Sequence, residues 1–215
     1  MSPPVGPTDG YRSLSEEFGV PLLGGDTTSS QDRIAINVTA IGRIARAKVK
    51  YRSGARENDI VYVTGYLGDS AQGLLDIRSG VYDSPFIAVH HDPHPCVNEG
   101  IWLGNQPEVH AMMDISDGLA SDLPHILEES ETGAEISIER IPTRTTVELA
   151  VTGGEDYQLL LTVGAEAADR IAAEYVRHFG KPLYGIGRIR SGAPDIIWSD
   201  NGEVVRPQWK GFRHF

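Results

Sequence analysis

The chain has 215 residues, with 30 acidic against 19 basic side chains and a net charge of −11. A chain this acidic does not track a phosphodiester backbone, so nucleic acid is not the expected partner. One cysteine, Cys96, permits no intrachain disulfide, and no stretch approaches the roughly 18 apolar residues of a membrane span. The opening Met1-Ser2-Pro3-Pro4 has neither the basic nor the apolar region of a secretory leader, so the expectation is a cytoplasmic protein with no membrane partner.

Residues 1–10 are rich in Pro and Gly, after which Tyr11, Leu14 and Phe18 fall at helical spacing. Val20-Pro21-Leu22-Leu23 runs into Gly24-Gly25-Asp26-Thr27-Thr28, where two glycines allow a ligand close to the backbone. A tight turn ahead of a strand accounts for the same residues equally well. Arg33 to Ile44 alternates as one long strand. The basic residues Arg46, Lys48, Lys50, Arg52 and Arg56 then gather in an otherwise acidic chain. This stretch marks the expected domain boundary, dividing residues 1–47 from 48–215. It reads as a solvated linker in preference to a basic collar for nucleotide phosphates.

Asp59 to Thr64 predicts a strand, Gly65 breaks it, and Gly68-Asp69-Ser70 opens a helix through Ala71, Leu74 and Leu75. That helix start offers free N–H groups and a positive dipole end to an anion, unless Asp69 is only its cap. His90-His91-Asp92-Pro93-His94-Pro95 reads as an extended loop and not a zinc site, because its ligands share no helical face. A helix through Val97, Ile101 and Leu103 follows, then a strand from Val109 to Met113.

The strand delivers Asp114-Ile115-Ser116-Asp117-Gly118-Leu119, and Leu119, Leu123, Ile126 and Leu127 continue at helical spacing. Two carboxylates three residues apart at a strand-to-helix turn are hard oxygen ligands of the kind Mg²⁺ takes, with waters and substrate phosphates completing the shell. Ser116 adds a hydroxyl. The alternative is that Asp117 or Ser121 merely caps the helix, with Pro124 tolerated in its first turn.

Ala134 to Ile138 reads as a strand and Ile141-Pro142 as the start of a loop. A second acidic glycine turn, Thr152-Gly153-Gly154-Glu155-Asp156-Tyr157, precedes a strand from Gln158 to Val163. Glu155 and Asp156 are open to a metal, a cationic ring or neither. A helix is expected over 166–178, a strand from Leu183 to Ile189, and a hairpin of Ile196–Trp198 with Glu203–Val205 across Asp200-Asn201-Gly202. The aromatic, basic tail Trp209 to Phe215 either docks on the core or closes over a ligand.

Four turns thus combine glycine with carboxylate: Gly25-Asp26, Gly68-Asp69-Ser70, Asp114 to Asp117, and Gly154-Glu155-Asp156. Phosphoryl transfer is mostly positioning and charge neutralisation, which carboxylate-held Mg²⁺ supplies. No Walker, dinucleotide or protein-kinase fingerprint is present, so a nucleotide enzyme here is of another type.

The series Leu23-Gly24-Gly25-Asp26-Thr27-Thr28, Arg52-Ser53-Gly54-Ala55, Val63-Thr64-Gly65 with Gly68-Asp69-Ser70-Ala71, Asp114 to Leu119, and Gly153 to Tyr157 resembles the thiamine-monophosphate kinases. Phe212 and Phe215 match the aromatic tail of that family, which lies within the aminoimidazole ribonucleotide synthase-like superfamily. The resemblance implies an α+β, two-domain fold. Residues 1–47 would be the remnant of an N-terminal ATP- and Mg-binding, dimerisation sheet domain, and residues 48–215 a complete C-terminal α/β layer with a mixed sheet.

It further implies ATP-dependent phosphorylation of thiamine phosphate to thiamine diphosphate by direct Mg-assisted transfer. Asp26, Asp114 and Asp117 would be Mg²⁺ ligands, Gly25, Arg52 and Ser116 ATP contacts, and Glu155 and Phe212 contacts to thiamine phosphate. The family is a homodimer and begins with a further aspartate- and histidine-bearing stretch that this sequence lacks, so impaired activity is expected. The alternatives are a sister enzyme of the superfamily or a non-catalytic nucleotide-binding fragment.

Overall fold

The computed structural model describes residues 7–209. By its internal contacts the chain divides into two units, Met1–Ile44 and Ala45–Phe215.

The first unit opens with α1, Pro7–Phe18. Gly19 ends it in the left-handed region at φ 62°, and the Ser15 hydroxyl and carbonyl engage Val20 across the stop. Beyond it, the expected long strand from Arg33 to Ile44 is not formed. Its alternating residues Ile34, Ile36 and Val38 are 92%, 70% and 69% exposed, and no ladder pairs them. Alternation prescribes which side chains share a face, but a strand exists only where a neighbour supplies hydrogen bonds.

The second unit is built on a seven-stranded sheet in the order β2-β4-β1-β5-β3-β6-β7. The strands are β1 (Ile60–Val63), β2 (Val109–Asp114), β3 (Gly133–Ser137), β4 (Leu159–Val163), β5 (Tyr184–Arg190), β6 (Ile196–Asp200) and β7 (Glu203–Val205). Only β3 and β6 run parallel; every other neighbouring pair is antiparallel. The β6–β7 hairpin turns through Asn201 and Gly202, both at positive φ (50° and 86°), as a two-residue primed turn requires.

Helices cover both faces of this sheet, and the period of two along each strand decides which core a residue joins. Val61 and Val63 face Leu119, Leu123, Ile126 and Leu127 of α5 (Leu119–Ser130), all fully buried, together with Ala150 and Val151 of α6 (Val147–Thr152). Tyr62, Leu161 and Val163 face Leu103 of α4 (Val97–Gly104) and Ile171 and Tyr175 of α7 (Ala168–Phe179). Each such aliphatic side chain contributes about 1.5–3 kcal/mol by leaving water.

Two further helices lie between β1 and α4: α2 (Asp69–Arg78) and α3 (Pro85–His91), the latter capped by the Ser84 hydroxyl, which accepts from the Phe86 amide. The histidine-rich stretch therefore starts on a helix and not in an extended loop, because Ser84 and Pro85 nucleate a turn ahead of it. Pro124 lies inside α5 and not in its first turn. Short α6 carries no periodicity long enough to read from sequence. The basic stretch after Ile44 forms two short 3₁₀ turns, Arg46–Lys48 and Arg52–Gly54. At the other end Trp209 docks edge-on against Trp198 of β6, with ring centroids 5.2 Å apart.

No helix among the described residues is long and apolar enough to cross a membrane.

Candidate functional site

The Asp114 turn and the Glu155 turn fold against each other. β2 ends at Asp114 and α5 begins at Leu119 after Gly118, whose φ of +99° no L side chain adopts readily. Glu155 and Tyr157, also at positive φ, donate their amides to the carbonyls of Ser116 (2.8 Å) and Ile115 (3.0 Å). The backbones are so close that a Cβ on Gly154 would stand 2.3 Å from the Ser116 carbonyl oxygen. Two glycine turns, read separately in the sequence, are one structural unit.

This unit concentrates negative charge. The Tyr157 phenol is pushed up first by burial and then by the charges of Glu155, Asp114 and Asp117, which therefore converge on one side of the turn. Behind them lies buried Asp122, whose Oδ2 accepts the Asp117 amide at 3.0 Å. Its carboxyl is also raised, by burial foremost and then by Asp117 and Asp114. The helix cap is Gly118 with no capping side chain, so neither Asp117 nor Ser121 fills that role. Asp122, missed from sequence, is the residue that ties the turn down; a buried Asp within the first turn of the helix was the only available signal.

Among the described residues no group of three or more His, Cys, Asp and Glu side chains is placed to hold a metal ion. Asp114 is exposed and Asp117 half-buried. Two hard oxygen donors in an acidic field fit Mg²⁺, which takes one or two protein carboxylates and completes its octahedron with water and phosphate.

The other residues singled out in the sequence are dispersed. Gly25 and Asp26 belong to the first unit, where both are exposed and Asp26 Oδ1 accepts the Thr27 amide at 2.8 Å. Arg52 is exposed, and its carbonyl accepts from the hydroxyl of Ser130, the last residue of α5. With a rise of about 1.5 Å per residue, that end of the helix is about 18 Å from the Asp114 turn. Phe212 lies outside the described residues.

The helix start at Gly68-Asp69-Ser70 does not await an external anion. Asp156 supplies one: its carboxylate accepts the amides of Gly68 (2.7 Å) and Ser70 (3.1 Å). Burial nonetheless raises its pKa to about 6, the two amides and their neighbour opposing the rise. His90, at the end of α3, reaches Ser70 Oγ at 2.9 Å and Glu155 Oε2 at 3.5 Å through Nδ1, an approach the loop reading of that stretch did not anticipate. The roomiest hollow, about 380 Å³ between Trp102, Glu174, Arg177 and His178, lies on the α4–α7 face, apart from these carboxylates.

Residues 56–198 match the family model described as AIR synthase related protein, C-terminal domain. The chain is 34% identical to the thiamine-monophosphate kinase of Bacillus subtilis (strain 168) over 224 residues, covering 96% of this chain and 68% of that relative. Among solved structures it is similar to the thiamine-monophosphate kinase of Stenotrophomonas maltophilia K279a (TM-score 0.65, 27% identity), covering 75% of this chain and 56% of that one. It is also similar to AaThiL complexed with AMPPCP and TMP (TM-score 0.60, 31% identity), covering 76% of this chain and 53% of that one. The chain thus spans little more than half of these solved chains.

Proposed function

The chain belongs to the thiamine-monophosphate kinase family of AIR synthase-related proteins, and from that premise we propose that it serves ATP-dependent phosphorylation of thiamine phosphate to thiamine diphosphate. The observation that carries this reading is the interlock of the two acidic turns, in which the amide of Glu155 is bonded to the carbonyl of Ser116. It sets a cation-seeking carboxylate beside a metal-seeking pair.

In this reading Asp114 and Asp117 hold Mg²⁺, and buried Asp122 keeps the Asp117 amide, and hence the turn, in place. Bound Mg²⁺ would neutralise charge on the phosphate oxygens as the γ-phosphoryl passes directly, in line, to the acceptor phosphate. Ser116, whose carbonyl is already taken, offers its hydroxyl to the nucleotide. Glu155 is 57% exposed along its side chain and attracts the cationic thiazolium. Arg52, at the opposite end of α5, contacts ATP away from the reacting phosphates. Gly25 as an ATP contact, Asp26 as a further Mg²⁺ ligand and Phe212 as a thiamine phosphate contact rest on family resemblance alone. So do the homodimer, the cytoplasmic location, and the assignment of residues 1–47 to the ATP- and Mg-binding sheet domain.

Because only two carboxylates of the second unit come together for a metal, the 215-residue chain by itself is a weak catalyst. Losing preorganised charge at a transferring group costs on the order of 10³ in rate. The test is thiamine diphosphate formation by the purified chain with ATP and Mg²⁺, beside a full-length relative at equal concentration. Slow but substrate-dependent turnover upholds the reading. Turnover equal to the relative's refutes the impairment, and ADP release with formylglycinamidine ribonucleotide in place of thiamine phosphate transfers the chain to a sister activity.

A further inference from the structure

A second concavity of about 200 Å³ opens beside the acidic turns, lined by Thr64, Gly65, Tyr66, Asp69, Val89, Arg144, Asp156, Gln158 and Lys181. It contains one unmet demand. Asp69 is 3% exposed, and although its Oδ2 is held by Arg144 (Nε at 2.9 Å), its Oδ1 is buried with no hydrogen-bond partner. A buried carboxylate oxygen left unpaired costs free energy of a size that calls for a donor. The other carboxylate in the wall, Asp156, is already satisfied by the amides of Gly68 and Ser70. Arg144 and Lys181 are ion-paired with Asp69 and Glu99, so the lining does not ask for an anion. Tyr66 is 43% exposed, braced by the Arg144 guanidinium 4.9 Å from its ring centre and by Tyr184, and supplies an aromatic wall.

These features describe a pocket for a small, flat, uncharged ring bearing an N–H donor. We propose that it takes the aminopyrimidine ring of thiamine phosphate, with the exocyclic amine donating to Asp69 Oδ1. The identity of the ring rests on the kinase reading above; the demand for an N–H donor does not. Thiamine phosphate joins its aminopyrimidine to the thiazolium through a single carbon, so the two subsites must adjoin. They do: Asp156 in the wall is the residue after Glu155, and Val89 precedes His90, whose Nδ1 lies 3.5 Å from Glu155. The cation then sits at Glu155 and the neutral ring in the cleft, away from a charge conflict with Arg144 and Lys181.

The test uses the full 215-residue chain and ligand-observed NMR titration with free 4-amino-5-hydroxymethyl-2-methylpyrimidine, its analogue lacking the 4-amino group, and thiamine phosphate. The expected result is saturable binding of the aminopyrimidine, weakened about tenfold by loss of the amine or by Asp69→Asn, as one hydrogen bond to a charged group implies. Since Asp69→Asn also disturbs the Arg144 pair, Val89→Trp provides a second route: it fills the cleft, leaves Asp69 intact, and abolishes binding in a protein whose melting curve stays cooperative. Equal affinity for the amino and desamino rings, no binding of either, or full binding by Val89→Trp overturns the proposal and leaves the cleft to water. Thiamine phosphate binding indifferent to both variants sinks the cleft and spares the kinase reading. Aminopyrimidine binding without thiamine phosphate binding upholds the cleft and sinks that reading's substrate.

Discussion

The amide of Glu155 donates to the carbonyl of Ser116 at 2.8 Å, so the two acidic turns share one backbone junction. Gly154 is in place there because a Cβ would meet the Ser116 oxygen at 2.3 Å, against backbone that has no freedom to yield. Gly154→Ala is therefore expected to force the turns apart, costing about 1–3 kcal/mol as overpacking does and lowering Mg²⁺-dependent nucleotide binding with it. Urea denaturation and calorimetry with ATP and Mg²⁺ check both effects. An alanine variant with unchanged midpoint and affinity would mean that the junction does not matter.

Asp114→Asn and Asp117→Asn test the metal pair itself. Asp114 is exposed, and each substitution keeps side-chain shape while removing a charge from an acidic cluster, so the folded state loses little or gains slightly. Mg²⁺ affinity is expected to fall about tenfold or more with melting temperature held, as removal of one of two anionic ligands implies. Unfolding without any change in Mg²⁺ titration would return the turn to a purely structural role.

Asp156 makes stability depend on pH in a defined direction. Its folded pKa is raised from the model-peptide 3.8 to about 6, chiefly by burial, so the folded state holds the proton more tightly than the unfolded one. The protonated carboxyl costs nothing below pH 4. As pH rises through the interval up to about 6 the folded state loses an advantage on the order of 3 kcal/mol, and above it no further change arises from this group. Denaturation midpoints from pH 4 to 7 should decline over that window, and Asp156→Asn should flatten the decline. A slope unchanged by the substitution would locate the titration elsewhere.

The stretch from Ile34 to Ile44 exposes Ile34, Ile36, Val38, Ile41 and Ile44 without a hydrogen-bonded neighbour. An alternating apolar segment with open backbone groups recruits another strand. The purified chain is expected to associate in a concentration-dependent way, and Ile36→Lys to shift it toward monomer, read by sedimentation velocity. A wild-type chain monomeric at all concentrations contradicts this.

Much of the second unit was legible as sequence because it rests on local repetition. The alternation at Ile60–Val63, the helical spacing of Leu119, Leu123, Ile126 and Leu127, and the Asn201-Gly202 turn each report a constraint confined to a few consecutive residues. The same local rule misled at Arg33 to Ile44, where alternation was present and a pairing partner was not. The candidate carboxylates were likewise visible as residue types at turns. What tertiary structure alone decided is who meets whom. Gly68 finds Asp156 across 88 positions, which converts an anion-binding helix start into an internally satisfied cap. Ser116 is bonded to the Glu155 turn, Arg52 stands at the far end of α5, and Asp69 is left with one oxygen unpaired inside a cleft. Such encounters depend on strand order and register, and those are chosen by the free energy of the whole packed sheet, not by any window of the chain.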